Sequence, residues 1–167
     1  MIWYALLIAA VAVERIAELV VSQRNLSWSR TRGGVEFGAG HYPAMVALHT
    51  GLLVGCLVEA MYRPFLTALG WPMLAVVLAA KGLRWWCITT LGRQWNTRVV
   101  VIPDAARVTN GPYRFFSHPY YVAVVVERIA LPLVHTAWVT AVTFTALNAG
   151  VLQTRIGVEN AALARLR

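Results

Sequence analysis

Charged residues are the scarcest class in this chain. Asp, Glu, Lys and Arg make up 13% of its 167 residues, against 59% that are hydrophobic. A soluble domain carries about 25% charged residues, so the balance argues against an ordinary soluble globule and for an integral membrane protein. At this length one domain is expected. Cysteine is almost absent too: Cys56 and Cys87 both lie inside apolar runs, which leaves no disulfide or thiolate-metal framework and makes them small buried residues. His41, His49, His118 and His135 lack metal-ligand spacing, so no metal is expected. The first apolar run, from Ile2 to Val13, has no basic residues before it and no small-residue cleavage pattern after it. It reads as a retained span and not as a signal peptide. No internal repeat or low-complexity run is visible.

What the chain does have is a series of apolar runs. They fall at about 2–21, 43–62, 68–90, 119–133 and 135–153, each near the ~20 residues a bilayer needs except the fourth. The expected fold is therefore all-α, with about five transmembrane helices and a small cytoplasmic lobe. A hairpin broken near Pro132 would instead give four spans and a re-entrant piece. The net charge of +8 suggests nucleic acid at first sight, but the positions of the basic residues explain it better. Arg24, Arg30 and Arg32 lie in the first loop, Arg93, Arg98, Arg107 and Arg114 in the third, and Arg155, Arg165 and Arg167 after the fifth run. Arg63 alone lies on the other side. The positive-inside rule then places the third loop and the C-terminus in the cytoplasm. No nucleic-acid partner is implied; the partner these positions point to is the bilayer.

The loops carry further signals. Gly33-Gly34-Val35-Glu36-Phe37-Gly38-Ala39-Gly40-His41-Tyr42-Pro43 predicts a tight turn and a proline-started helix. In the third loop, β-branched Thr97 to Ile102, the Pro103-Asp104 turn and the return through Val108 to Gly111 predict a short hairpin or extended lobe over the cytoplasmic face. Trp28, Trp71 and Trp95 sit near predicted boundaries, as interfacial anchors do. Inside the spans Glu14, Glu18, Glu59 and Glu127 are matched by Arg15, Lys81, Arg84 and Arg128. Each is costly against lipid and should turn inwards and pair, either as a structural ion network or as the lining of a ligand cavity.

The densest chemistry is in Gly111-Pro112-Tyr113-Arg114-Phe115-Phe116-Ser117-His118-Pro119-Tyr120-Tyr121. Pro119 biases His118 towards extended geometry and starts a helix, holding an imidazole where unpaired backbone N–H groups favour anionic ligand groups. Arg155 and Glu159, at i and i+4, share a face of the last helix. The loop strand Arg107-Val108, the His118 turn and the Arg155/Glu159 pair are all expected on the cytoplasmic side, around a small polar ligand.

Tyr113, His118-Pro119-x-Tyr121 and the later Arg155-x-x-x-Glu159 together resemble the isoprenylcysteine carboxyl methyltransferase family. Those enzymes are integral-membrane, S-adenosylmethionine-dependent and related to the phospholipid methyltransferases. The resemblance covers roughly residues 75–165, a cofactor-binding core, preceded by an N-terminal helical pair at 1–62. The N-terminal motifs Glu14-Arg15-Ile16-Ala17-Glu18-Leu19, Arg24-Asn25, His41-Tyr42-Pro43 and His49 resemble a small bacterial branch, which implies a bacterial cytoplasmic membrane. Members of that branch are associated with O-methylation of polyketide-derived alkylpyrones and alkylresorcinols. The resemblance implies that Ala105, Ala106, Arg107, Val108, Tyr113, His118, Pro119, Tyr120, Tyr121 and Glu159 surround S-adenosylmethionine. It also implies that Arg155 and His118 serve the chemistry, with Arg155 reaching the acceptor. Ser117 replaces an arginine common before the His-Pro step, Asn160 replaces a common second glutamate, and Arg98 stands where some relatives have a glutamine. Carboxyl methylation of an isoprenylcysteine-type compound and lipid N-methylation remain alternatives. So does a non-catalytic membrane subunit or small transporter built on the internal charges.

Overall fold

The computed structural model describes residues 1–38, 40, 42–103, 105, 106 and 108–164, with Leu163 described by its backbone only. Five long helices dominate: α1 (Ile2–Arg30), α2 (Tyr42–Ala60), α3 (Thr67–Leu91), α4 (Pro119–Leu133) and α5 (Trp138–Ala164). Each covers one of the expected apolar runs. Two stretches, Tyr42–Ala60 and Thr67–Gln94, are long and apolar enough to cross a membrane, and only 17% and 28% of their apolar windows are buried. A core helix of a soluble protein would be mostly covered, so their exposed apolar sides call for another apolar solvent. The other helices depart from simple spans. Glu14, Arg15 and Glu18 interrupt the apolar run of α1, and α4 has 15 residues, about 22 Å of helix and short of the ~30 Å hydrocarbon core.

Apolar and charged side chains are sorted in the sense lipid requires. Ile2, Leu6, Val13, Val54, Leu78 and Val142 are all more than half exposed, while Glu18, Arg84, Glu127 and Arg128 are buried. One end of the bundle is an apolar core of Tyr4, Ile8 and Val11 from α1, Leu52 and Cys56 from α2, Val77 from α3, Leu131 from α4 and Val134 just after it. The Tyr4 hydroxyl donates to the Leu131 carbonyl across it, at 3.0 Å. Both cysteines are free and buried, as expected of small core residues. The chain breaks just after Pro132: α4 ends at Leu133 and α5 starts at Trp138. Glu59 does not join the central charges. It caps α5, accepting from the Val139 and Thr140 amides at 3.1 and 2.8 Å, because a helix start offers unpaired N–H groups where a span interior offers none.

Of the two alternatives expected for the third loop, a hairpin or an extended lobe, the hairpin does not form among the described residues. Val99–Val101 (β2) pairs antiparallel with Val35–Phe37 (β1) from the first loop, with Glu36 opposite Val100. Gly33 adopts φ +75° and reverses the chain after α1, a conformation that costs glycine nothing. The reversal brings Val35–Phe37 alongside the β-branched strand, which pairs with it in place of the local return through Val108. Val108 itself is not in a strand. Ion pairing secures the ribbon: Arg98 donates to Glu36 at 2.7 Å. The C-terminal part of α1 fixes the base of the loop, where Asn25 Nδ2 donates to the Trp95 carbonyl at 2.7 Å. Trp95 is therefore buried, 2% exposed, and is not the interfacial anchor its position suggested. Trp71, 58% exposed, fits that role.

Candidate active site

Gly111 turns the third loop towards α4. Its φ is +54°, and a side-chain carbon there would lie 2.7 Å from Thr90 Oγ1, so the position requires glycine on both counts. The following 3-10 turn, Gly111–Arg114, carries Tyr113 to the edge of a cavity of about 420 Å³ beneath the loop. Burial pushes the Tyr113 phenol well above its ordinary range and keeps it neutral. His118 sits just before α4 at φ −136° and ψ 60°, with Pro119 as the first helical residue.

Three elements converge at the cavity floor. The Tyr121 hydroxyl makes a short hydrogen bond to Glu159 Oε2 and accepts from Arg155 Nε at 2.9 Å. His118 Nδ1 lies 3.9 Å from Glu159 Oε1, and its ring stacks on Tyr121 with centroids 5.5 Å apart. The His118 and Glu159 side chains remain 23% and 31% exposed, so both can be reached from the solvent side. Arg155, by contrast, is buried. Its Nη2 donates to the Asn96 carbonyl at 3.4 Å, and Nη1 lies 3.0 Å from Met45 Sδ. The i,i+4 pair is thus joined through Tyr121 and not by direct contact.

The residues expected around the cofactor distribute unevenly. Ala105, Ala106, Val108, Tyr113, His118, Tyr120, Tyr121, Arg155 and Glu159 all line this outer cavity. Pro119 is fully buried and acts by starting α4. Arg107 lies outside the described residues. Arg98 also lines the cavity but is occupied by Glu36 and lies over the Tyr42 ring at 4.5 Å.

A second cavity of about 340 Å³ lies deeper, among α1, α2, α4 and α5. Its walls are apolar for the most part: Ala12, Ile16, Leu19, Val46, Leu53 and Val124 among others. Tyr120, Tyr121 and Arg155 line both cavities and so form the partition between them. The internal charges flank the inner cavity. Arg15 bridges Glu18 and Glu127 at 2.6 and 2.5 Å. Lys81 bonds Glu14 and Glu127. Arg84 pairs with Glu18 at 2.6 Å and Glu127 at 3.3 Å, and reaches the Tyr120 hydroxyl at 2.8 Å. The inward pairing expected from sequence holds for Glu14, Glu18 and Glu127. It fails for Arg128, which has no carboxylate partner among the described residues. The inner cavity itself left no motif in the sequence; apolar residues scattered over α1, α2, α4 and α5 form it, and that pattern is shared by any bundle core.

A family model described as isoprenylcysteine carboxyl methyltransferase (ICMT) matches residues 73–165, more than half of the chain. The chain belongs to the isoprenylcysteine carboxyl methyltransferase family. The ICMT match takes in most of α3, the third loop, α4 and α5, and so contains the whole floor of the outer cavity. Along its full length the chain is similar to the uncharacterized protein YpbQ of Bacillus subtilis (strain 168), with 35% identity over 98% of this chain and 96% of that one. ICMT family members are methyltransferases and membrane-associated, which supports an enzymatic role and a membrane setting for this chain.

Proposed function

We propose that the protein is an S-adenosylmethionine-dependent methyltransferase acting on a lipophilic acceptor at a membrane. The observation that carries this reading is the pair of cavities with a common wall of Tyr120, Tyr121 and Arg155. A transfer between a polar donor and an apolar acceptor needs two compartments that meet at one point. At about 420 Å³ the outer cavity lies in the range of roughly 300–1,000 Å³ usual for ligand sites. Its donor set suits the cofactor: Glu159 can accept from ribose hydroxyls or the amino group, His118 can hold the amino-acid end, and Tyr113 and Tyr121 offer aromatic faces. When bound, S-adenosylmethionine supplies a methyl group on a cationic sulfur, open to in-line displacement by a nucleophilic oxygen.

The chain's own residues do the positioning. Tyr121 ties Arg155 to Glu159, so the group that faces the acceptor and the group that faces the donor share one hydrogen-bonded frame. Arg155, buried and fixed at three points, can orient an acceptor oxygen and favour its ionised form. The mostly apolar inner wall offers water few partners, and a water-poor site strengthens those contacts and favours a reaction in which opposite charges cancel. Ile16 on α1 and Val46 on α2 line the inner cavity and are also exposed, 62% and 40%. They make the α1–α2 seam an apolar route from the bilayer, while the outer cavity opens towards the cytoplasm.

O-methylation of a polyketide-derived alkylpyrone or alkylresorcinol is the leading activity. Carboxyl methylation of an isoprenylcysteine-type compound is second. The test is methyl transfer from labelled S-adenosylmethionine by detergent-purified protein, with an alkylpyrone, an alkylresorcinol, an isoprenylcysteine analogue and a phosphatidylethanolamine offered in parallel. Label is expected in the pyrone or resorcinol and lost in Arg155→Ala. Labelling of phosphatidylethanolamine alone would overturn the choice of acceptor, and labelling of none by folded protein would overturn the activity.

A further inference from the structure

The charges beside the inner cavity do not cancel. Glu14, Glu18 and Glu127 are matched one for one by Arg15, Lys81 and Arg84 through six contacts. Arg155 is coupled through Tyr121 to Glu159. Among the described residues Arg128 is left over. It lines the inner cavity and is 6% exposed, and its Nε and Nη1 are buried with no hydrogen-bond partner. On α2, His49 lines the same cavity with Nε2 buried and unpartnered. A guanidinium stays charged at any accessible pH, and one buried without a counter-charge costs several kcal/mol. Unsatisfied donors of this kind on a mostly apolar wall are a vacant half of an ion pair.

We propose that Arg128, assisted by His49, is the anchor for an anionic head group in the inner cavity. The acceptor is then an amphiphile with an ionised acidic oxygen, an enolate or carboxylate, and an apolar chain among Ile16, Leu19, Val46 and Leu53. The planar guanidinium can give two parallel N–H bonds to such an oxyacid, and His49 Nε2 can donate a third. The same placement rejects an amine head group, because a second cation would meet Arg128 with no carboxylate free to balance it. The inference rests on the methyl-transfer reading for the fate of the ligand, but its charge preference is testable by binding alone.

The probe is dodecanoate carrying ¹³C at its carboxyl carbon, added to the full chain in neutral maltoside micelles. Carbon NMR separates protein-bound from micellar carboxylate, and dodecanol and dodecylamine serve as competitors. The wild type is expected to show a saturable bound resonance that dodecanol and dodecylamine displace poorly. Arg128→Gln should weaken dodecanoate binding about 10- to 100-fold, as expected for a charged hydrogen-bonded contact, and Arg128→Lys should recover part of it. S-adenosylhomocysteine binding to Arg128→Gln should match the wild type. Displacement of dodecanoate by equal dodecanol would overturn the proposal whether or not the variants fold, and so would undiminished binding by folded Arg128→Gln. Saturable dodecanoate binding by a wild type that does not bind S-adenosylhomocysteine would support the anion anchor while removing the methyl-transfer reading.

Discussion

Glu159 is held by one hydroxyl and faced by one imidazole, so its substitution should be felt at the outer cavity before anywhere else. Glu159→Ala is expected to weaken S-adenosylhomocysteine binding about 10- to 100-fold, the loss of one charge-assisted hydrogen-bonded group; equilibrium dialysis on purified protein measures it. Arg155→Lys tests the partition. A lysine keeps the charge but cannot bond Tyr121 and Asn96 in the same fixed fork, so kcat/KM should fall by about 10²-fold while the affinity for S-adenosylhomocysteine changes far less. An equal loss in both quantities would place Arg155 on the donor side. These residues were legible in the sequence because proline before a helix and an i,i+4 pair are local patterns. Arg128 was legible as a residue but not as unpaired: matching charges by number along the chain cannot reveal which one packing leaves out.

Among the elements, the two-stranded ribbon was the least predictable. Both strands are three residues long, and the composition of Thr97 to Ile102 signals extension but names no partner. Pairing was decided by Gly33 and by the α1 extension that pins Trp95, both distant in sequence. Glu36 joins the ribbon to Arg98 at 2.7 Å. Since that pair is partly exposed, Glu36→Ala should cost no more than about 1 kcal/mol of global stability, yet it should speed hydrogen exchange in 97–101 and lower S-adenosylhomocysteine affinity a few-fold. Unchanged exchange there would detach the ribbon from the site. At the opposite end Glu59 caps α5. Glu59→Ala should remove about 1 kcal/mol, read as a lower Tm in detergent, with cofactor-analogue binding intact.

At the scale of the whole molecule, the protein places paired charges inside and apolar side chains outside, with two chambers separated by three residues. The five helices were legible from apolar runs alone. How they meet was not, since a run of branched residues says nothing of which helix it faces. The ionic interior gives the clearest stability prediction. Glu127 is buried and accepts from Arg15, Lys81 and Arg84, so Glu127→Gln leaves three cations short of one counter-charge and should cost about 3–5 kcal/mol. Thermal unfolding in detergent should show a large fall in Tm, against a small one for the less buried Glu14→Gln. The central claim, that the outer cavity is the donor site of a methyltransferase, is tested most directly by equilibrium binding of S-adenosylhomocysteine to wild type and Glu159→Ala, with matched Tm values as the folding control. The account predicts saturable binding by the wild type that the variant weakens about 10- to 100-fold. Equal binding by both, or none by folded wild type, would contradict it.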